Sequence, residues 1–174
     1  MHRLPRFAAL VTSARLEVLA WNRLAAGLME DFSALPRRDR NLARRALPGS
    51  RPGGRRLYGV SDADAFARRV ARRLRTAAAR YPDDSEMTAL TGELLTGSDE
   101  FARLWACHDV DVEPTPRQTF QHPLVGPGTV NRDALDLTDR DQQVVIYTAG
   151  PGSPSEEALR LPAVIGTQRM DASR

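Results

Sequence analysis

Three histidines and one cysteine carry the readiest chemistry in this chain of 174 residues. Cys107 and His108 are adjacent, and Asp109 follows them. A nucleophile and its base must converge on one point. Neighbours on a helix point about 100° apart, so this adjacency argues against such a pair. His108 therefore reads as a structural or pocket-lining polar residue, with ligand contact as its sharper use and general-base catalysis as its remotest. His122, just before Pro123, reads as a hydrogen-bonding residue at a strand end, and His2 is terminal. A metal site needs further ligands at regular spacing, and none is visible. There is no G-x-S-x-G elbow, no P-loop and no dinucleotide fingerprint. Gly150-Pro151-Gly152-Ser153-Pro154 is glycine-rich, but Ser153 with Glu156 forms a capping box and Pro154 suits a first helical position. It reads as a strand-to-helix turn. No residue is assigned a catalytic role.

What remains is apolar. Leu24, Leu28, Phe66, Val70, Leu74, Phe101, Leu104, Trp105, Val145 and Tyr147 are core by default and pocket walls on the sharper reading. Periodicity alone does not separate the two. Any ligand carboxylate would need a partner, because an unpaired buried charge is costly. Arg69, Arg73 and His108 are the reachable candidates.

The elements that must position these residues follow from the pattern. Phe7–Thr12 and Arg15–Trp21 alternate as two short strands around a turn at Thr12-Ser13-Ala14. Asn22 then stands where an N-cap would, between a strand period and a helix period that reaches Met29 or Phe32. Leu35-Pro36 opens another short helix, with Leu42 and Leu47 inward. Residues 48–56 form a Gly- and Pro-rich loop. Ser61 or Asp62 caps the longest helix, which runs to about Arg80 with Phe66, Val70 and Leu74 as its core stripe. Pro82-Asp83-Asp84 caps the next, with Met87, Leu90 and Leu94 inside. Ser98 caps a third, carrying Phe101, Leu104, Trp105 and His108. Beyond Asp109 the texture becomes extended: Arg117–His122, about Gly128–Leu137, and Gln143–Thr148. Gly126-Pro127-Gly128 is expected to turn the first onto the second, and Asp139-Arg140-Asp141 the second onto the third. Val144–Tyr147 is the most hydrophobic run, which marks a central strand. A last helix starts after Ser153 and stops at Pro162.

The order is β-β, helices, β-β-β, helix. That predicts an α+β domain: a PAS-like five-stranded antiparallel sheet covered on one face by helices, with a C-terminal helix. Residues 7–162 form the domain and 163–174 a flexible tail. Such a fold has one natural cavity, between the sheet and its cover.

Composition sets the bounds. The chain is 41% hydrophobic and 27% charged, as expected of a globular domain large enough to bury a core. No apolar run approaches the ~18 residues of a membrane span. One cysteine allows no internal disulfide and fits a reducing cytoplasm. Residues 1–80 carry 18 Arg and a net charge of +12, whereas residues 81–174 carry a net charge of −9. The two halves are expected to face each other or a second subunit. A nucleic-acid surface is the weaker reading, since few aromatics interleave with the Arg residues and no recognition helix is evident.

Four stretches, RLEVLAWNRLAAGLMEDFSALPRRDRNLAR, YPDDSEMTALTGELLTGSDEFARLWACHDV, FQHPLVG and VVIYTAGPGSPSEEALRL, together resemble the MmyB-like (MltR-like) transcription-regulator ligand-binding domain, common in actinobacteria. The resemblance spans roughly Phe7 to Leu161. It implies a PAS-like fold and the effector-sensing half of a helix-turn-helix regulator, with a hydrophobic cavity that holds a fatty acid such as myristate. It implies no cofactor and no membrane partner. A homodimer is expected, with DNA bound only through a helix-turn-helix domain that this chain is expected to lack. Two departures lie near the cavity's cover. Tyr58-Gly59-Val60-Ser61-Asp62 lacks the family's usual Trp, and residues 47–56 are richer in Gly and Arg. A PAS-like dimerisation module with a self-filled core is the alternative. An enzyme acting on a small acyl substrate through His108 stands last.

Overall fold

The computed structural model describes residues 7–47, 63–107, 117–122 and 126–157, with the side chains of residues 63, 64, 121 and 122 set aside. Five strands form one sheet: β1 (Ala8–Ser13), β2 (Val18–Trp21), β3 (Arg117–His122), β4 (Gly126–Leu137) and β5 (Gln142–Thr148). Their order is β2-β1-β5-β4-β3, antiparallel throughout. The expected α+β, PAS-like architecture is therefore observed, with β5 at the centre. Helices α1 (Arg23–Leu28), α2 (Leu42–Ala46), α3 (Ala63–Arg80), α4 (Ser85–Gly97) and α5 (Asp99–Ala106) all lie between β2 and β3 in the chain.

Alternation decides which sheet face is covered. Along β1, Ala8, Leu10 and Thr12 are buried, and along β5, Gln143, Val145 and Tyr147 are buried. The residues between them are only partly buried. Side chains of period two point to opposite faces, so one face meets the helices. Along α3, Ala67, Val70, Ala71, Leu74 and Ala77 are buried, while Arg68 and Arg72 stay exposed.

Caps set the helix starts. Asn22 Oδ1 accepts from Ala25 N at 2.9 Å, as the sequence predicts for the cap of α1. The same oxygen accepts from Ala9 N at 3.1 Å, and Asn22 Nδ2 donates to the Phe7 carbonyl at 2.8 Å. Asp84 Oδ1 caps α4 by accepting from the N–H groups of Glu86 and Met87, and Ser98 caps α5. Met87, Leu90, Leu94 and Phe101 are buried as expected.

Several boundaries differ. β2 starts at Val18 instead of Arg15, because Leu16 takes a left-handed conformation at φ 63°. That conformation costs a non-glycine residue about 1–3 kcal/mol. Burying the Leu16 side chain, 6% exposed, offsets a cost of this order. Helix α1 ends at Leu28. The helix expected from Leu35-Pro36 is a 3-10 turn at Arg37–Arg40, followed by α2. Asn41 caps α2 and donates from Nδ2 to the Arg15 carbonyl at 2.7 Å, a tie to the β1–β2 connection that sequence reading misses. Gly126-Pro127-Gly128 does not turn β3 onto β4: all three belong to β4 and pair with His122, Gln121 and Phe120. The connection between β3 and β4, residues 123–125, lies outside the described residues. The second turn holds, with Asp141 left-handed at φ 50° after the 3-10 turn Thr138–Arg140.

At the end, Ser153 Oγ accepts from Glu156 N, and Glu156 Oε2 accepts from Gly152 N at 2.7 Å, one residue earlier than a capping box would have it. Gly152 has φ 72°, which suits glycine alone among the neighbours of this turn. Ser155 Oγ also accepts from Thr129 N, tying this turn to β4. The Ser61 or Asp62 cap, the loop at 48–56, the end of the last helix and the tail lie outside the described residues.

The two oppositely charged halves do face each other. Arg15 meets Asp84 and Glu86, Arg38 and Arg44 meet Glu93, Arg73 meets Asp136, and Arg80 meets Asp141.

Candidate functional site

Three rows of side chains cross the covered face of the sheet. Strand register places Ala8, Tyr147 and Arg132 in one row, Leu10, Val145 and Ala134 in the next, and Thr12, Gln143 and Asp136 in the third. Above them α3 presents Phe66, Arg69, Val70, Arg73, Ala77 and Arg80. These recur at three- and four-residue steps, so they share one helix face. Between this face and the sheet lies a cavity of about 540 Å³, closed further by Ala14, Leu16 and Leu42. That size falls within the ~300–1,000 Å³ of ordinary small-molecule sites.

The walls divide by character. Phe66, Val70, Ala77, Ala134, Val145, Leu16 and Leu42 supply apolar surface, and Arg69, Arg72, Arg73, Arg80 and Arg132 supply positive charge. Asp136 and Asp141 are the carboxylates among the described lining. Gln143 bridges the floor: its Nε2 donates to Asp136 Oδ1 at 2.8 Å, and its Oε1 accepts from Arg132 Nη2 at 3.4 Å. Arg73 Nη1 approaches Asp136 Oδ1 at 3.5 Å, and Arg80 Nη1 approaches Asp141 Oδ1 at 3.3 Å.

Burial shapes the electrostatics. It pulls the Arg73 guanidinium below its usual value, with the nearby Asp136 opposing this and Arg132 adding to it. Burial pushes the Tyr147 phenol up, while the charges of Arg132 and Arg69 pull the other way. At the rim, donation to Asp141 raises the Tyr81 hydroxyl. The arrangement offers a small molecule both apolar surface and positive charge.

Of the residues singled out in the sequence, Phe66, Arg69, Val70, Arg73, Val145 and Tyr147 come together on this cavity. Leu24, Leu28, Leu74, Phe101, Leu104 and Trp105 do not line it. They pack in the core, with Leu28, Leu74 and Phe101 fully buried and the other three partly so. The flank of α3 that carries Arg75 meets α5 instead: Arg75 Nη2 donates to the carbonyls of Leu104 and Trp105 at 2.6 and 2.8 Å and lies over the Trp105 ring. His108 lies outside the described residues. Sequence reading missed Thr12, Arg132, Ala134, Asp136 and Gln143. Their signal was parity: Arg132, Ala134 and Asp136 share the face of buried Val130, and Gln143 that of Val145. Among the described residues, no group of three or more His, Cys, Asp or Glu could hold a metal ion. No helix among them is long and apolar enough to cross a membrane.

A PAS-like sheet with a small-molecule cavity beneath its helical cover defines a ligand-binding regulatory domain. Residues 1–161 match the MmyB-like transcription regulator ligand binding domain, and the chain belongs to that family. No curated protein matches the chain.

Proposed function

We propose that this domain senses a medium- to long-chain fatty acid, or a similar apolar acid, and is the effector-binding part of a helix-turn-helix regulator. The observation that carries this is the cavity between α3 and the sheet, with aliphatic walls and arginines on the same surface. Burying ~12 methylenes contributes about 10 kcal/mol gross at ~0.8 kcal/mol each. Association and chain ordering cost several kcal/mol of that. The remainder, with about 2 kcal/mol from a charge-assisted head-group contact, corresponds to roughly micromolar affinity. The arginines provide a charge partner for a carboxylate on the cavity wall.

The domain works in the cytoplasm as a homodimer, binds its ligand without a cofactor and catalyses nothing. DNA is reached through a helix-turn-helix domain. A dimerisation module with a self-filled core is the second reading, and a cavity of about 540 Å³ weighs against it. Mass spectrometry of an organic extract of the purified protein, together with calorimetry using myristate, tests the proposal. A bound acid near one equivalent, or saturable micromolar binding, is expected. Absence of both would favour the dimerisation module.

A further inference from the structure

Arg73 is poorly matched to its partner. Its side chain is only 21% exposed, and its ion-pair partner among the described residues, Asp136, touches Nη1 at the long distance of 3.5 Å. Asp136 is 69% exposed and has the better bond elsewhere, accepting from Gln143 Nε2 at 2.8 Å. Two buried polar atoms on this cavity wall have no hydrogen-bond partner: Arg73 Nε and Thr12 Oγ1. Thr12 is 1% exposed and stands in the same cross-strand row as Gln143 and Asp136. A buried donor without an acceptor is costly, and a guanidinium meets a carboxylate best through two parallel N–H bonds. Asp136 supplies neither need.

We infer that Asp136 holds the place of a ligand's carboxylate: the anionic head group takes over the Arg73 guanidinium, the Thr12 hydroxyl donates to it, and Asp136 remains on Gln143. This rests on the proposal that the cavity takes an apolar acid. The exchange is an anion swap with no net change of charge at Arg73. It is cheap because an exposed carboxylate gives up little in losing a long ion pair. Both unpartnered atoms are shielded from water, so pairing them requires the wall to open. The departure of Asp136 from Arg73 is the opening that the geometry offers. The swap also links the head group to β4 and β5, since Asp136 and Gln143 stand opposite each other on those strands.

The test compares dodecanoate with dodecanol, which share a chain and differ in charge, by calorimetry on wild type, Arg73→Gln and Asp136→Asn. Arg73→Gln is expected to weaken dodecanoate about tenfold or more, the loss of a charge-assisted pair, and to leave dodecanol within about twofold. Asp136→Asn removes the competing anion and is expected to tighten dodecanoate about threefold, by a surface-pair increment, again without effect on dodecanol. Asp136 is exposed, so this second variant reads the exchange even if Arg73→Gln folds poorly. Equal changes for acid and alcohol, or no change for either, would overturn the assignment while leaving the apolar-acid reading intact. Failure of wild type to bind both probes would overturn the two together.

Discussion

Replacing Asn22 with Ala removes more than a helix cap. An N-cap substitution alone costs about 1 kcal/mol. Here Oδ1 also accepts from Ala9 N, and Nδ2 donates to the Phe7 carbonyl, so the change strips partners from the first residues of β1 as well. Each lost hydrogen bond is worth about 1 kcal/mol, the two part-buried ones more surely than the exposed one to Phe7. The expected loss is therefore about 3 kcal/mol, not the 1 kcal/mol of a simple cap. With a urea m-value of about 2 kcal/mol/M, the unfolding midpoint should fall by about 1.5 M. Asn22→Asp keeps the acceptor, loses the donor to Phe7, and should fall in between. Fatty-acid affinity should be unchanged, since Asn22 does not line the cavity. A loss of 1 kcal/mol or less would refute the reasoning, by showing that the bonds to β1 contribute nothing. Unchanged stability with lost binding would make Asn22 a ligand contact.

Ala134→Trp places bulk in the cavity from a strand position and should weaken myristate at least tenfold, since about two displaced methylenes suffice. Leu104→Trp, away from the cavity, should leave binding near wild type; calorimetry separates the two. Helix α4 should lose stability in acid. The amide of Met87 and the guanidinium of Arg15 hold the Asp84 carboxyl below its ordinary 3.8, so its contribution is complete above that value and is lost as pH falls through and below it. Urea unfolding from pH 6 to pH 2 should show a shallower acid decline for Asp84→Asn than for wild type, and parallel curves would contradict this. The chain alone should give no sequence-specific footprint on DNA at physiological salt, because arginines without a recognition helix give only salt-sensitive attraction and several of them, Arg15, Arg44, Arg73 and Arg80, are paired with acids of the other half.

The fold was legible because its signals are local. The 3.6-residue stripe of α3, the caps Asn22, Asp84 and Ser98, and the apolar run at Val144–Tyr147 each fix an element without knowledge of its neighbours. The charge asymmetry pointed to contact between the halves, and the ion pairs run that way. The cavity was half legible. Phe66, Val70, Val145 and Tyr147 announce themselves by hydrophobic periodicity, and Arg69 and Arg73 by position on the same helix. Their separation from Leu74, Phe101, Leu104 and Trp105 depends on which flank of α3 meets α5 and which meets the sheet. That is set by tertiary packing and has no local signature. Thr12, Gln143 and Asp136 were missed for a related reason: parity gives the face of each, but their row exists only through the register of β1 with the distant β5 and of β5 with β4. The β3–β4 turn failed on glycine itself, since Gly126 and Gly128 flank Pro127 inside a strand that sequence reading started too late.

The position of the bound ligand separates the cavity under α3 from the core beside α5. A fatty acid carrying a photoreactive diazirine along its chain, irradiated in the protein and followed by peptide mapping, reads this directly. Insertion should concentrate in residues 63–81 of α3 and its end and in residues 130–147 of β4 and β5, and excess myristate should suppress it. Insertion concentrated in α1, α4 or α5 would contradict the account, because it would place the ligand among Leu24, Leu28, Phe101 and Leu104, not between α3 and the sheet.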